Sequence, residues 1–499
     1  MSVMYHSTRS ENVTVSASYA IMKGLADDGG LYVPEEIPKL TASVKDLAKM
    51  DYKGVAYEVM KLFLSDFTEE ELKNCIEKAY DEKFDTAEIA PLVEKDGAYY
   101  LELFHGKTIA FKDMALSILP HLMTTAAKKN EMKDKIVILT ATSGDTGKAA
   151  LEGFADVENT EIIVFYPKEG VSAIQEQQMV TQTGKNTHVI GIRGNFDDAQ
   201  SGVKTMFSDE RLKAKLKEAG FQFSSANSIN IGRLVPQVVY YVYSYVTMVK
   251  RGDIQEGDKI NVVVPTGNFG NILAGFYAKN MGIPIDKLYC ASNRNKVLFD
   301  FFQSGTYDKN REFYQTSSPS MDILISSNLE RLIYYISGND PRKTGELMSA
   351  LSGQGKYTIT PDMEAKLQDF EAGFADEDQT LETIRNVYQK ANYVIDPHTA
   401  VAASVYYEKA SKSPEKTVVV STASPYKFGK DVLMGVDESL DENASLWKES
   451  PSKWVEKLES ISKVPAPKAV RGLMEAEILH KTVCDKDQME QTVCDVLKI

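Results

Sequence analysis

The sequence predicts an α/β protein built from parallel sheets covered by helices. Strand-length apolar runs alternate with helix-patterned segments from about residue 135 onward. Three glycine- or hydroxyl-rich loops sit just past the carboxyl ends of such runs, where ligands bind in open α/β sheets. At 499 residues, with 43% hydrophobic and 26% charged residues, the chain can bury a sizeable core.

Taken in order, residues 1–95 form a helical N-terminal region. Turn residues stand at Asp27-Asp28-Gly29-Gly30 and Pro34, and amphipathic helical stretches run over Lys45 to Phe63 and Glu69 to Tyr80. The segment HGKTIAFKDMAL, 105–116, then places Lys112 between an aromatic and an acid, just ahead of a helix pattern. A lysine so placed can carry a cofactor as a Schiff base. Next come four strand–loop–helix units. They are Ile136 to Thr140 followed by a helix from Lys148, Ile162 to Tyr166 by Ala173 to Thr181, Val189 to Ile192 by Ala199 to Phe207, and Ile260 to Val264 by Ile272 to Lys279. Between the last two lies Val235 to Val249, too short to cross a bilayer with comfort and read as a buried helix. Residues 300–415 read as helices and connections, the run Val418 to Val420 as a strand, and 436–499 as a peripheral helical extension.

Four loops supply the candidate chemistry: SGDTG at 143–147, SANSIN at 225–230, TGNFGN at 266–271 and STASPYKF at 421–428. Gly267 and Gly270 let the backbone approach an anion at a helix start. One helix terminus is worth roughly 0.3 to 1 kcal/mol, so several donors must converge. Asn268 and Asn271 can add donors. Ser143, Gly144 and Thr146 offer hydroxyl and amide groups, while Asp145 reads as a helix-capping partner. Asn227, Ser228 and Arg233 gather amide, hydroxyl and guanidinium groups within seven residues, a set suited to a phosphate. DPHTAV, 396–401, reads as a turn and helix start, although its histidine could approach the site.

Composition narrows the function classes. A net charge of −14 opposes binding to nucleic acid or to anionic membranes. Four scattered cysteines and six scattered histidines show no metal-ligand spacing. The first residues have no signal-peptide or transit-peptide pattern, so the expectation is a cytoplasmic protein, monomeric or homodimeric. Neither GDTGK nor HGKT meets the P-loop pattern, and no G-x-G-x-x-G follows a strand.

In order, STR, GLADDGGLYVP, HGKTIAFKD, ATSGDTG, GNFDDAQ, SANSINIGR, PTGNFGN, SPSMDILISSNLERL, DPHTAVA and STASPYKF span nearly the whole chain, and together they resemble the threonine synthases. The resemblance implies pyridoxal 5'-phosphate as cofactor and a fold of type II among such enzymes. That fold has two mostly parallel α/β domains with helices on both faces, plus an N-terminal region. The implied domains are 1–95, a discontinuous cofactor-binding unit of 96–134 and 236–435 with a helical insertion at about 300–415, a small unit of 135–235, and the extension 436–499. The implied reaction converts O-phospho-L-homoserine and water into L-threonine and phosphate, by γ-elimination and then addition of water at Cβ. Lys112 then matches the Schiff-base lysine, whose freed amine acts as a base. Gly267, Asn268, Phe269, Gly270 and Asn271 match the cradle of the cofactor phosphate, and Thr422 the hydroxyl facing the pyridine nitrogen. Ser143, Gly144, Asp145 and Thr146 match the loop receiving the substrate carboxylate, and Asn227, Ser228 and Arg233 the substrate-phosphate pocket. Three positions depart from many relatives: Lys107 in place of proline, Asn271 of aspartate, and Ser424-Pro425-Tyr426 of His-Pro-Ala. Lys107 is expected to add positive charge close to Lys112.

Overall fold

In the computed structural model, which describes residues 3–142, 144–169, 171 and 173–499, two parallel sheets form the framework. The larger has six strands in the order Phe370–Phe374, Ile285–Ser292, Ile260–Pro265, Lys416–Ser421, Ala98–Glu102 and Leu92–Lys95. Neighbours are parallel except the last pair, a hairpin that closes one edge. Along its central strands the side chains alternate between two covered faces. Val262, Val264, Val418 and Val420 pack with Val238, Tyr241 and Tyr277, while Val263 and Val419 pack with Val401 and Ala402. Burial on both faces explains why these strands read as unbroken apolar runs.

The smaller sheet has five parallel strands, ordered Val483–Asp485, Thr187–Arg193, Thr160–Pro167, Lys135–Ala141 and Phe221–Ser224. Its first strand corrects the expectation of a purely helical C-terminal extension. Val483, Cys484 and Asp485 pair in parallel with Gly191, Ile192 and Arg193, and the helix Met489–Leu497 covers the same face through Val493 and Leu497. Three residues are too few to display a period of two, so the strand leaves no signal in the sequence. Likewise, Phe370–Phe374, an edge strand interrupted by Glu371 and Gly373, lies within the stretch read as helices and connections.

The N-terminal region is helical over Tyr52–Phe63 and Glu69–Ala79, the second helix closed by a Thr68/Glu71 capping box. It also holds a three-stranded antiparallel sheet of Ser10–Val15, Tyr5–Ser7 and Tyr32–Pro34. This region shares its core with the rest of the chain. Tyr5, Ile21, Val59 and Phe63 belong to one continuous core with Leu122, Ile138, Leu234 and Tyr277. The apolar stretch after Arg233 forms the helix Ile231–Arg251, buried along almost its whole length between the sheets and the N-terminal region. None of the helices among the described residues is long and apolar enough to cross a membrane.

Candidate active site

Lys112 is delivered by a loop laid along STASP rather than by a regular element. Leu103 donates to the Ser421 carbonyl, Phe111 to that of Thr422, and Ser424 to that of Ile109, at 2.8 to 3.0 Å. Ile109 takes a left-handed conformation (φ 51°) to turn the loop. Gly106 is required because a Cβ there would lie 2.5 Å from Oδ2 of Asp113, a carboxylate whose Oδ2 accepts the Thr108 N–H and whose Oδ1 accepts the Thr108 hydroxyl. Burial pushes Asp113 up to about 6, against the pull of the Thr108 donors. Lys112 is buried at the start of the short helix Asp113–Leu116, its Nζ 3.0 Å from Ser320 Oγ and 3.4 Å from Asp145 Oδ2. Burial holds this amine below the usual lysine range; Lys427 and Arg233 act in the same direction, and Asp145 opposes them.

Asp145 corrects the capping expectation. The helix Asp145–Phe154 starts after Gly144 without a side-chain cap. The Asp145 carboxylate instead receives Gln175 Nε2 at 3.0 Å and Ser320 Oγ at 3.2 Å, with Lys427 Nζ at 3.3 Å. Burial opposes its ionisation, but Lys427 and then Lys112 hold it far below the usual carboxylate range. Thr142 Oγ1 ties the loop by accepting from Gly144 and Gly147. A Cβ on Gly144 (φ 141°) would meet the Gln175 amide at 2.5 Å. Thr146 is half-buried in the first turn, and Ser143 lies outside the described residues.

The loop TGNFGN packs against Ser320, the residue whose hydroxyl meets Lys112. A Cβ on Gly267 would stand 2.4 Å from the Ser320 carbonyl oxygen, and Phe269 (φ 65°) turns the chain into the helix Gly270–Met281. The loop carbonyls are tied back, Gly267 by Ser326 Oγ and Asn268 by both the backbone N–H and Nδ2 of Asn328. The amides of the first helical turn have no partner within their own helix and so face outward. Asn271 is buried; its Oδ1 accepts from Tyr240 and Tyr241 at 2.8 and 2.5 Å, while its Nδ2 has no partner among the described residues. Thr422 is buried past the end of the strand Lys416–Ser421.

Arg233 lies in the first turn of the long helix, buried, with Nη1 donating to the Ala226 carbonyl and Nε without a partner among the described residues. Burial alone lowers it to about 10. Its own loop is clamped from two sides. Asn230 Nδ2 donates to the Ile21 carbonyl of the N-terminal region, and fully buried Arg331 donates to the carbonyls of Ile229 and Tyr32. Ser228 is half-buried there, its carbonyl held by Asn328, whereas Asn227 is exposed at the loop tip. Lys107 is not directed at Lys112: its half-exposed amine lies 3.6 Å from Glu152, which lowers its claim to a role at the site.

Ser320, Lys427 and Gln175 were not singled out by sequence chemistry, whereas His398 was read as a helix start whose ring could approach the site. His398 does begin a helix, with Asp396 as N-cap, yet its Nε2 also accepts the Ser320 N–H. Ser320 and Lys427 sit inside the motifs SPSMDILISSNLERL and STASPYKF, the one signal that could have found them.

A buried lysine beside a glycine-bounded helix start, on parallel sheets flanked by helices, defines a pyridoxal-phosphate-dependent enzyme, and residues 88–424 match the family model described as pyridoxal-phosphate dependent enzyme. Residues 4–80 match the model described as threonine synthase N terminus. The chain is 36% identical to threonine synthase of Schizosaccharomyces pombe, covering 88% of this chain and 91% of that protein. It is 40% identical to human threonine synthase-like 1, covering 84% of this chain and 58% of that protein. Its fold is similar to the pyridoxal-phosphate-bound threonine synthase of Brucella melitensis, with a TM-score of 0.87, 35% identity and both chains covered in full. The chain belongs to the threonine synthase family, pyridoxal-phosphate-dependent lyases.

The residues present fit that cofactor. Gly267 admits no side chain, the amides of the first turn from Gly270 face outward, and the buried Asn271 Nδ2 still lacks an acceptor, as a site for a phosphate requires.

Proposed function

We propose that this chain converts O-phospho-L-homoserine and water into L-threonine and phosphate, with Lys112 as the cofactor lysine. The observation that carries the reading is Arg233: a buried guanidinium whose Nε has no partner among the described residues, close enough for its charge to act on Lys112. A buried cation without a carboxylate is costly unless an anionic ligand completes it. A phosphorylated amino acid supplies that anion.

Pyridoxal phosphate, when bound, supplies an electron sink for the carbanions of the substrate. The chain does the rest. Gly267, Asn268, Phe269, Gly270 and Asn271 would hold the cofactor phosphate at the helix start, and Thr422 would supply a hydroxyl to the cofactor ring. Gly144 and Thr146, with Ser143, receive the substrate carboxylate. Asp145 serves as counter-charge to the lysines rather than as a ligand for that carboxylate. Ser228 and Arg233, with Asn227 at the rim, hold the substrate phosphate and retain it as it leaves. The free Lys112 amine would take and return substrate protons, with Ser320 Oγ within hydrogen-bond reach.

The domain division inferred from the sequence is kept as part of this proposal, with the strand Val483–Asp485 added to the small unit. Four free, buried cysteines suit a reducing, cytoplasmic setting. The test is product analysis after incubating the purified protein and pyridoxal phosphate with O-phosphohomoserine. Threonine and phosphate in equal amounts are expected; a keto acid, or no product, overturns the reading.

A further inference from the structure

Asp145 is one carboxylate facing two buried ammonium groups, and the two are not held alike. The Lys427 side chain has no exposed surface, and its Nζ is fixed to the Thr108 carbonyl at 2.8 Å while it faces Asp145 Oδ1 at 3.3 Å. Thr108 is itself pinned by Asp113 through its N–H and its hydroxyl, so Lys427 is anchored at the base of the reactive loop. Lys112 reaches the other oxygen, Oδ2, at 3.4 Å, and shares its amine with Ser320 at 3.0 Å.

The charges around the Lys112 amine come from several elements. Asp145 faces it from the helix Asp145–Phe154, Lys427 from the turn Pro425–Phe428, and Arg233 from the helix Ile231–Arg251. Behind them, His398 stands on the helix Pro397–Glu408 with its Nε2 accepting the Ser320 N–H, and Asp113 faces Lys427. One buried carboxylate cannot neutralise two buried lysines and a buried arginine.

We propose that Lys427 is a positioning residue that holds the Asp145 carboxylate and thereby leaves the Lys112 amine without a counter-ion of its own, so that the displaced amine is a neutral base. The anchoring decides which lysine keeps the anion. Lys427 has a fixed carbonyl partner and no route to solvent, whereas Lys112 must move between the cofactor and its free state. Burial, Lys427 and Arg233 all favour loss of the Lys112 proton, and Asp145, already shared, is the one group that opposes it.

This inference rests on Lys112 being the reacting lysine, so the experiment separates the two. The full-length chain, freed of cofactor, is labelled with an amine-acylating reagent across a pH series, and modification of Lys112 is followed by peptide mass spectrometry. Lys427→Met is expected to move the Lys112 labelling midpoint to higher pH, slowing labelling several-fold at pH below the midpoint, and Lys427→Arg to return it toward the wild-type midpoint. Asp145→Asn is expected to move it the opposite way, to lower pH. A purely structural role for Lys427 would not produce opposed shifts. An unchanged or lowered midpoint in Lys427→Met overturns the proposal. Should that variant fail to fold by circular dichroism, Asp145→Asn decides, and an unchanged or raised midpoint there overturns it equally. Separately, absence of visible absorbance when pyridoxal phosphate is added to the wild-type chain would reject Lys112 as the cofactor lysine, whatever the labelling shows.

Discussion

The backbone N–H of Ser320 donates to Nε2 of His398 at 3.2 Å, which fixes both partners. His398 Nδ1 lies 2.7 Å from Asp396 Oδ2, so the ring carries its proton on Nδ1 and leaves Nε2 as acceptor. Ser320 is held there with its hydroxyl toward Lys112 and Asp145 and its carbonyl against Gly267. Ser320→Ala deletes the hydroxyl while leaving that backbone bond in place. Hydrogen bonds to charged groups are worth about 1.5 to 3 kcal/mol, so kcat should fall by roughly one to two orders of magnitude with little change in melting temperature. Steady-state kinetics beside a thermal melt checks it; unchanged kcat would remove Ser320 from the chemistry.

Arg233→Met tests the phosphate pocket. Because Arg233 is buried without a carboxylate, replacement by an apolar chain of similar length should leave stability unchanged or raised. Binding should suffer instead: KM for O-phosphohomoserine and the inhibition constant for inorganic phosphate should rise together, each by about ten- to a hundredfold. A rise in one without the other would show that Arg233 does not hold the phosphate.

Gly267→Ala probes the cofactor cradle. The added Cβ meets a backbone carbonyl at 2.4 Å, and that carbonyl belongs to Ser320, which His398 already anchors, so neither side can yield cheaply. Overpacking of this kind costs about 1 to 3 kcal/mol. The expected result is weaker retention of pyridoxal phosphate, read as faster loss of visible absorbance on dilution, with the fold intact by circular dichroism.

The strands Lys135–Ala141, Ile260–Pro265 and Lys416–Ser421 were legible because each is a run rich in β-branched residues that ends at a glycine or hydroxyl cluster. What escaped is what depends on contacts across the chain. Asp145 sits where a helix cap would sit, and its sequence neighbours cannot reveal that Lys427, far along the chain, is its partner. Ser320 lies in an irregular stretch with no period, fixed by Asn293, Thr316 and Asp322 holding the adjacent turn. Val483–Asp485 is too short to announce itself as a strand.

His105 ties the reactive loop to the N-terminal region and gives the fold a pH signature. Its Nδ1 lies 2.6 Å from Asp85 and its Nε2 2.9 Å from Glu102, and its carbonyl accepts the Asp85 N–H. Burial works against protonation, but the two carboxylates prevail and raise the ring to about 9. A group raised in the folded state stabilises it fully below its unfolded value, about 6.5, and loses that contribution as pH climbs through about 9. Asp85 is well exposed, so solvent screening reduces the effect to about 2 kcal/mol. Urea denaturation at pH 6 and at pH 9.5 should therefore show a larger fall in stability for the wild type than for His105→Gln, which cannot titrate. Since the same carboxylates hold the loop that ends in Lys112, the wild type should also release pyridoxal phosphate faster at the higher pH, with a smaller change in His105→Gln. Equal pH dependence of stability in the two proteins would show that the His105 pairs do not hold this loop.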